Sequence, residues 1–263
     1  MFNFELWIRL GFFAGVLLMM MLWEWRSPRR PQLQTRGQRW PHNLLLLVIN
    51  TLLVRWFFPL AAVGAALVAS ERGWGLFNVW PVPVWLSVVL SLLALDLLIY
   101  LQHRLLHAQP LLWRLHRVHH ADVELDVTTG LRFHPLEILL SMLLKLAAVT
   151  LLGAPALAVL LFEVLLNASS MFNHANVNLP QRQDRWLRLI LVTPDMHRVH
   201  HSVIPNETNS NFGFNLPWWD RLFGTYQSQP KAGQLGMTIG LTQFRAPAEQ
   251  RLLQLLLQPF RRK

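Results

Sequence analysis

Histidine is the residue through which this sequence could do chemistry. Ten of its eleven histidines fall into five groups. His103 and His107 form an HxxxH pair, and His116, His119 and His120 an HxxHH group. His134 stands in Phe-His-Pro-Leu-Glu, and His174 in Phe-Asn-His-Ala-Asn. His197, His200 and His201 repeat the HxxHH spacing. On a helix, residues three or four apart share a face, so each group presents converging imidazoles. One HxxxH alone reads more readily as hydrogen-bonded or surface imidazoles than as ligands. Ten together would repel if protonated and need partners if neutral, and neutral imidazole is a ligand for Fe, Zn, Cu and Ni. Ten exceed what one tetrahedral metal accepts and suit two metals at about five ligands each. The expectation is a dinuclear site.

Polar residues extend the pattern. Asp96, Tyr100, His103 and His107 make one helical stripe, and Glu163, Asn167, Ser170 and His174 repeat its spacing. A carboxylate one turn from a ligand histidine can fix its tautomer through the other ring nitrogen. Asp96, Glu163 and Asn167 are therefore candidate outer partners, as is Glu137, three residues after His134. Interhelical hydrogen bonding for packing is the other reading of Asp96 and Glu163. His42, outside all groups, reads as an interfacial residue.

The elements that must position these groups are membrane spans. Of 263 residues, 53% are hydrophobic and 14% charged, against about 25% charged in an ordinary soluble domain. Twelve Trp and fifteen Phe suit aromatic belts at a bilayer surface. The absence of cysteine excludes disulfides, Cys-ligated iron–sulfur clusters, covalent c-type haem and Cys-based zinc fingers. Apolar runs cover Leu6–Trp25, Leu44–Ala69 (broken by Arg55 and Pro59), Val84–Leu101, Leu136–Leu152 and Ala156–Met171. The last two, split by Gly153-Ala154-Pro155, read as a hairpin dipping in and returning. The first has no basic region ahead of it and no small-x-small site, so it reads as a retained anchor. Leu187–Val192 is too short to cross. The expected class is all-α, an integral membrane helical bundle with a histidine-rich cap. Residues 1–101 would be N-terminal spans. Residues 102–263 would be the catalytic region, with its membrane hairpin at 136–172, all in one integrated membrane domain.

The net charge of +10 clusters beside apolar runs, in Arg26, Arg29, Arg30, Arg36 and Arg39 and in Arg261, Arg262 and Lys263. That is the bias of loops facing the cytoplasm, and it disfavours nucleic acid, whose footprint is a basic face on a soluble module. With the first basic loop inside, residues 102–135 and 173–263 both fall on the cytoplasmic face. Ten histidines then gather on one side of the membrane.

HRLLH, HRVHH, FHPLE, FNHAN and TPDMHRVHH, followed by NSNFG and WDRLFGT, resemble the fatty acid hydroxylase superfamily. The match runs in order from His103 to Thr225; the first hundred residues resemble the family only in being hydrophobic spans. The resemblance implies a membrane-embedded non-haem di-iron centre that uses O2 and an external electron donor. By position the implied ligands are His103, His107, His116, His119, His120, His134, His174, His197, His200 and His201. It leaves open which histidine serves which iron, and whether one or two lie outside the coordination sphere.

An unactivated C–H bond is beyond side-chain acids and bases, so the metal cofactor must carry the chemistry. Return of oxygen to the carbon gives an alcohol; removal of a second hydrogen gives an alkene. A lipid hydroxylase is the leading expectation and a lipid or sterol desaturase on the same site the alternative. A zinc hydrolase would use only three histidines, and a transporter would place ligands near the midplane. The substrate is expected from the bilayer. Two electrons must come from a separate ferredoxin, cytochrome or flavoprotein reductase, which Arg114, Arg117, Arg182, Arg185 and Arg188 could dock; lipid headgroup contact is the other reading of these arginines. Pro194 is expected to start the turn before His197. NSNFG and WDRLFG are expected to cap the site from the cytoplasm, with Asp220 pairing an Arg, supporting a ligand histidine or packing a surface loop.

Overall fold

The computed structural model describes residues 2–261, with side chains from Trp7 onward. Arg262 and Lys263 of the basic tail lie outside the described residues. The described chain is helical, and its only β pairings are the isolated bridges Pro28–Val177 and Ser202–Ile239. Long helices come first: α1 (Phe2–Arg26), α2 (Arg36–Phe57), α3 (Ala61–Glu71), the single turn α4 (Leu76–Val79) and α5 (Val84–Ala108). Then α6 (Pro110–His120) leads to the hairpin of α7 (Pro135–Leu152) and α8 (Ala156–His174). Short helices follow: α9 (Gln181–Leu187), α10 (Pro194–His200), α11 (Pro205–Thr208), α12 (Trp218–Leu222), α13 (Gly233–Gly236) and α14 (Leu252–Leu257). By length and composition, five segments among the described residues can cross a membrane: Trp7–Arg26, Arg36–Val79, Val84–Ala108, Pro135–Leu152 and Ala156–His174.

Pro59 divides the second segment. It lacks an N–H and restricts the residue before it, so α2 stops at Phe57 and α3 resumes at Ala61. The two still act as one kinked span beside α7. Asn50 of α2 donates to Phe133 O at 2.9 Å, just ahead of α7. The loop after α3 meets the far end of α7. There Gly75 and Gly153 cross so closely that a Cβ on Gly75 would sit 2.1 Å from Gly153 N. Both have positive φ, 93° and 63°, which glycine adopts without a steric penalty. Exposed Trp74, Trp80 and Trp85 ring this far end as an aromatic belt.

The span core is made of Ala62, Val63, Ala66, Leu95, Val149, Ala154, Val159 and Phe162. Small residues on α3 and α8 let the backbones approach, the usual means of packing helices where water provides no drive. A second cluster, Met20, Val127, Leu131, Met171, Ala175 and Val177, joins α1 and α8 to the cap. Polar ties complete that junction. Arg39 at the start of α2 is fully buried and donates to Asp122 at 2.7 and 2.9 Å and to Asp126 at 2.6 Å. Arg29 reaches Asp195 at 2.9 Å, and Arg30 donates to Met237 O at 2.7 Å. The α1–α2 arginines read as a basic loop are thus also the clamps that hold the cap on the spans.

Candidate metal centre

The end of α5, α6, the end of α8 and α10 bring nine histidines together in two groups. His103, His107, His116, His120 and His200 form one, and His119, His174, His197 and His201 the other. Within each group, one nitrogen from every ring lies within 4.8 Å of all the others, close enough to hold a metal ion. Each HxxHH segment straddles both groups. His116 and His120 sit one turn apart in the five-membered group while His119 turns into the other. His197 and His201 join the four-membered group while His200 turns into the five-membered one. Proline at the first position of α6 and of α10 starts both helices where a missing N–H costs nothing. For α10 that proline is Pro194, where the sequence placed the turn.

The second ring nitrogens decide what the first can do. His103 Nδ1 lies 2.8 Å from Phe212 O, His116 Nδ1 2.7 Å from Glu137 Oε1 and His119 Nδ1 3.2 Å from Arg132 O. His174 Nδ1 lies 2.6 Å from Ser170 O and His200 Nδ1 2.8 Å from Ser210 O. These partners only accept, so each of the five rings carries its proton on Nδ1 and leaves a bare lone pair on Nε2. Yet His103 and His116 approach Nε2 to Nε2 at 3.0 Å, as do His119 and His174. Neither pair can be a hydrogen bond, since neither atom holds a proton. His200 Nε2 is buried with no partner, as are both nitrogens of His201. Lone pairs aimed at one another in a closed space call for a cation between them. Burial, then the neighbouring imidazoles, hold His119, His120, His197, His200 and His201 well below 6.5, so the rings are neutral.

His134 is not brought to either group. It caps α7: its Nδ1 accepts from Leu136 N–H at 3.2 Å and its Nε2 donates to Leu256 O at 3.2 Å. Both nitrogens are spent, so no lone pair is left for a metal. Among the carboxylates of the described residues, Glu137 alone hydrogen-bonds a histidine. Asp96 instead accepts from Asn215 Nδ2 and Trp219 Nε1, both at 2.8 Å, and ties α5 to α12 and the segment before it. Glu163 pairs with Arg9 and Lys145, each at 2.6 Å, and Asn167 donates to Glu163 O, so the first two residues of that stripe serve packing within the bundle. Among the described residues, Asp220 pairs with no arginine. It accepts Phe212 N–H at 2.8 Å, Gly213 N–H at 2.9 Å and the Thr225 hydroxyl at 2.7 Å. It thereby holds the 209–213 loop, whose atoms orient His103, His107 and His200. Three of the arginines read as a docking face are engaged within the cap: Arg114 with Pro259 O, Arg117 with Gln258 O and Arg261 O, and Arg188 with Asp184 and Ser228 O. Arg182 and Arg185 remain exposed.

The loop 121–133 went unread in the sequence. Asp122, Asp126, Thr129 and Arg132 are buried there with Arg39. Burial alone would raise the Asp122 carboxyl; the Arg39 and Arg132 guanidiniums outweigh it and hold it below 3.8. Burial lowers Arg132 to about 10, still charged at neutral pH. Arg132 O in turn holds His119. The signal was available in three acids within five residues, one residue after HRVHH.

The fatty acid hydroxylase family matches residues 88–225, just over half of the chain, and the chain belongs to that family. An ornithine lipid hydroxylase of Rhizobium tropici, OlsE, is 36% identical over 208 residues, 78% of this chain and 60% of that protein. The alkylglycerol monooxygenase of Homo sapiens is 30% identical over 171 residues, 64% of this chain and 37% of that protein. A very-long-chain aldehyde decarbonylase of Oryza sativa is 25% identical over 56% of this chain and 25% of that protein. The chain thus spans less than two thirds of each of these relatives. No solved structure matches it.

Proposed function

We propose that this protein is a membrane-bound non-haem di-iron oxygenase that hydroxylates a C–H bond of a lipid, using O2 and two electrons from a separate donor. The observation that carries the reading is the facing of unprotonated Nε2 atoms in both histidine groups. His103, His107, His116, His120 and His200 would hold one iron, and His119, His174, His197 and His201 the other. The five-histidine group exceeds the four ligands of a tetrahedral zinc site. The facing pairs lie at 3.0–3.1 Å. An all-imidazole set without thiolate is also compatible with iron.

Bound there, the two irons would supply the one-electron chemistry with O2 that breaks an unactivated C–H bond. The chain's own part is to hold and orient. Glu137 and the carbonyls of Phe212, Arg132, Ser170 and Ser210 fix the rings, so the lone pairs need no rearrangement when metal enters. Phe133, stacked 4.5 Å from His119, and Phe212, 5.1 Å from His107, wall the groups with apolar rings that limit water. The relatives' names, a hydroxylase of an ornithine lipid and a monooxygenase of alkylglycerols, support a polar-headed lipid as substrate. The basic α1–α2 loop supports a cytoplasmic cap, within reach of a soluble electron donor.

Comparative lipid mass spectrometry under 18O2 tests the reading, with the native protein set against His200→Ala. A lipid that gains one labelled oxygen only with the native protein is expected. A lipid that loses two hydrogens without label would replace hydroxylase by desaturase. Zinc instead of iron in protein purified without oxygen would overturn the assignment.

A further inference from the structure

Of the two stretches read as a lid, Asn209–Gly213 lies on the histidines, whereas Trp219–Gly224 packs against the flank of α5. Asp96, at the middle of that 25-residue helix, accepts hydrogen bonds from Asn215, Leu216 and Trp219. Tyr100 stacks on Phe223, with ring centroids 5.4 Å apart. Asp96 lies eleven residues before His107, about 16 Å along the helix axis at ~1.5 Å per residue. The Asn215–Phe223 segment therefore flanks α5 at the level of its span, on the membrane side of the histidines.

What it presents outward is apolar. Trp218, Leu222 and Phe223 are 45%, 70% and 43% exposed; beside them Trp186, Leu189 and Ile190 are 65%, 48% and 60% exposed. The six form one shelf: Trp218 Nε1 donates to Leu189 O at 2.7 Å, and Arg221 donates to Arg188 O at 2.6 Å. The shelf continues the lipid-facing side of α5, where Leu101 and Leu105 are also exposed. Exposed Arg182, Arg185 and Arg221 accompany it. Apolar side chains with tryptophan and arginine beside them match the order of a leaflet, from acyl chains to anionic headgroups.

Span length points the same way. α8 covers 19 residues from the far turn to His174, roughly 28 Å at ~1.5 Å per residue. A hydrocarbon layer is about 30 Å thick. With its far edge at Gly153, its near edge reaches the level of the histidines themselves.

We propose that the α9–α12 shelf is buried in the cap-side leaflet, so that the cap is sunk into the bilayer instead of standing above it. The occupant of the shelf is lipid: acyl chains against Leu189, Ile190, Leu222 and Phe223, and anionic headgroups against Arg182 and Arg185. This surface is independent of the metal.

The chain has no cysteine, which permits single-site nitroxide labelling of the full-length protein. Ile190→Cys, Leu222→Cys and, in an exposed cap loop, Thr242→Cys would be labelled and placed in nanodiscs of phosphatidylcholine and phosphatidylglycerol. At 190 and 222 the label should collide more with O2 than with a water-soluble nickel chelate; at 242 the order should reverse. Nickel access at 190 and 222 equal to that at 242 would overturn the proposal. Shielding of both sites from both colliders would overturn it too, since protein would then cover the shelf. The readout needs neither metal nor substrate, so failure of the oxygenase reading and failure of this one are separable.

Discussion

At the scale of single residues, the distribution of protons on imidazole nitrogens governs the site. His200→Ala or His119→Ala should each abolish turnover and lower metal content by about one ion per chain, with membrane insertion intact. Metal analysis beside an activity assay checks this; full metal content in either variant would remove that ligand from the set. His134→Ala should keep its metal and lose only the α7 cap, about 1 kcal/mol of stability. Glu137→Gln should weaken metal retention ~10–100-fold, as expected when a ligand histidine loses its charged partner, and a chelator competition series reads that directly. The pH dependence has a definite sign. His119, His120, His197, His200 and His201 are held well below 6.5 in the folded, metal-free chain, burial being the first cause. The unfolded chain takes up protons near 6.5 while the folded chain does not. Stability of the metal-free protein is therefore full above 6.5 and falls as pH drops below it. Thermal midpoints of metal-free protein at pH 7.5 and 5.5 should differ in that direction.

At the scale of elements, two loops hold what the helices present. The 209–213 loop holds the rings of His103, His107 and His200 and is itself held by Asp220. Asp220→Ala should loosen metal in the five-histidine group while the four-histidine group keeps its own, because none of the loop's contacts reaches the latter. Partial metal loss, near one ion per chain, is the expected readout. The 121–133 loop is locked by Arg39 inside the protein. Removing one partner of a buried ion pair leaves the other uncompensated, at about 3–5 kcal/mol. Arg39→Met should therefore cost about that much, seen as a lower thermal midpoint, and should loosen His119 through Arg132 O.

At the scale of the whole molecule, ion pairs join the N-terminal region to the cap. The α1–α2 loop and the start of α2 supply Arg29, Arg30 and Arg39 to the cap, and α5 and α8 carry three of the nine converging histidines within their last two turns. A fragment lacking residues 1–83 should fail to retain metal even in detergent, for lack of the clamps and of the α1 and α2–α3 spans. The cytoplasmic orientation proposed for the cap predicts that an impermeant reagent added outside intact cells leaves a cysteine placed at residue 242 unlabelled.

The number of segments long and apolar enough to cross a membrane was legible from hydropathy alone, but not their extent, since α5 and α8 run on past their apolar runs to Ala108 and His174. The histidine inventory and the family were legible because ligand type and spacing are properties of the chain. Tertiary structure alone sorted nine histidines into five and four, since each HxxHH helix turns its middle ring toward the other group. It also set His134 apart, because an N–H donor and a carbonyl acceptor happen to meet its two nitrogens. Asp96 and Glu163 share the helical spacing of ligand residues, yet side chains from distant segments claim them. The fixing of the rings was the least legible feature. Most of it is done by backbone carbonyls, which every residue carries and no sequence pattern marks.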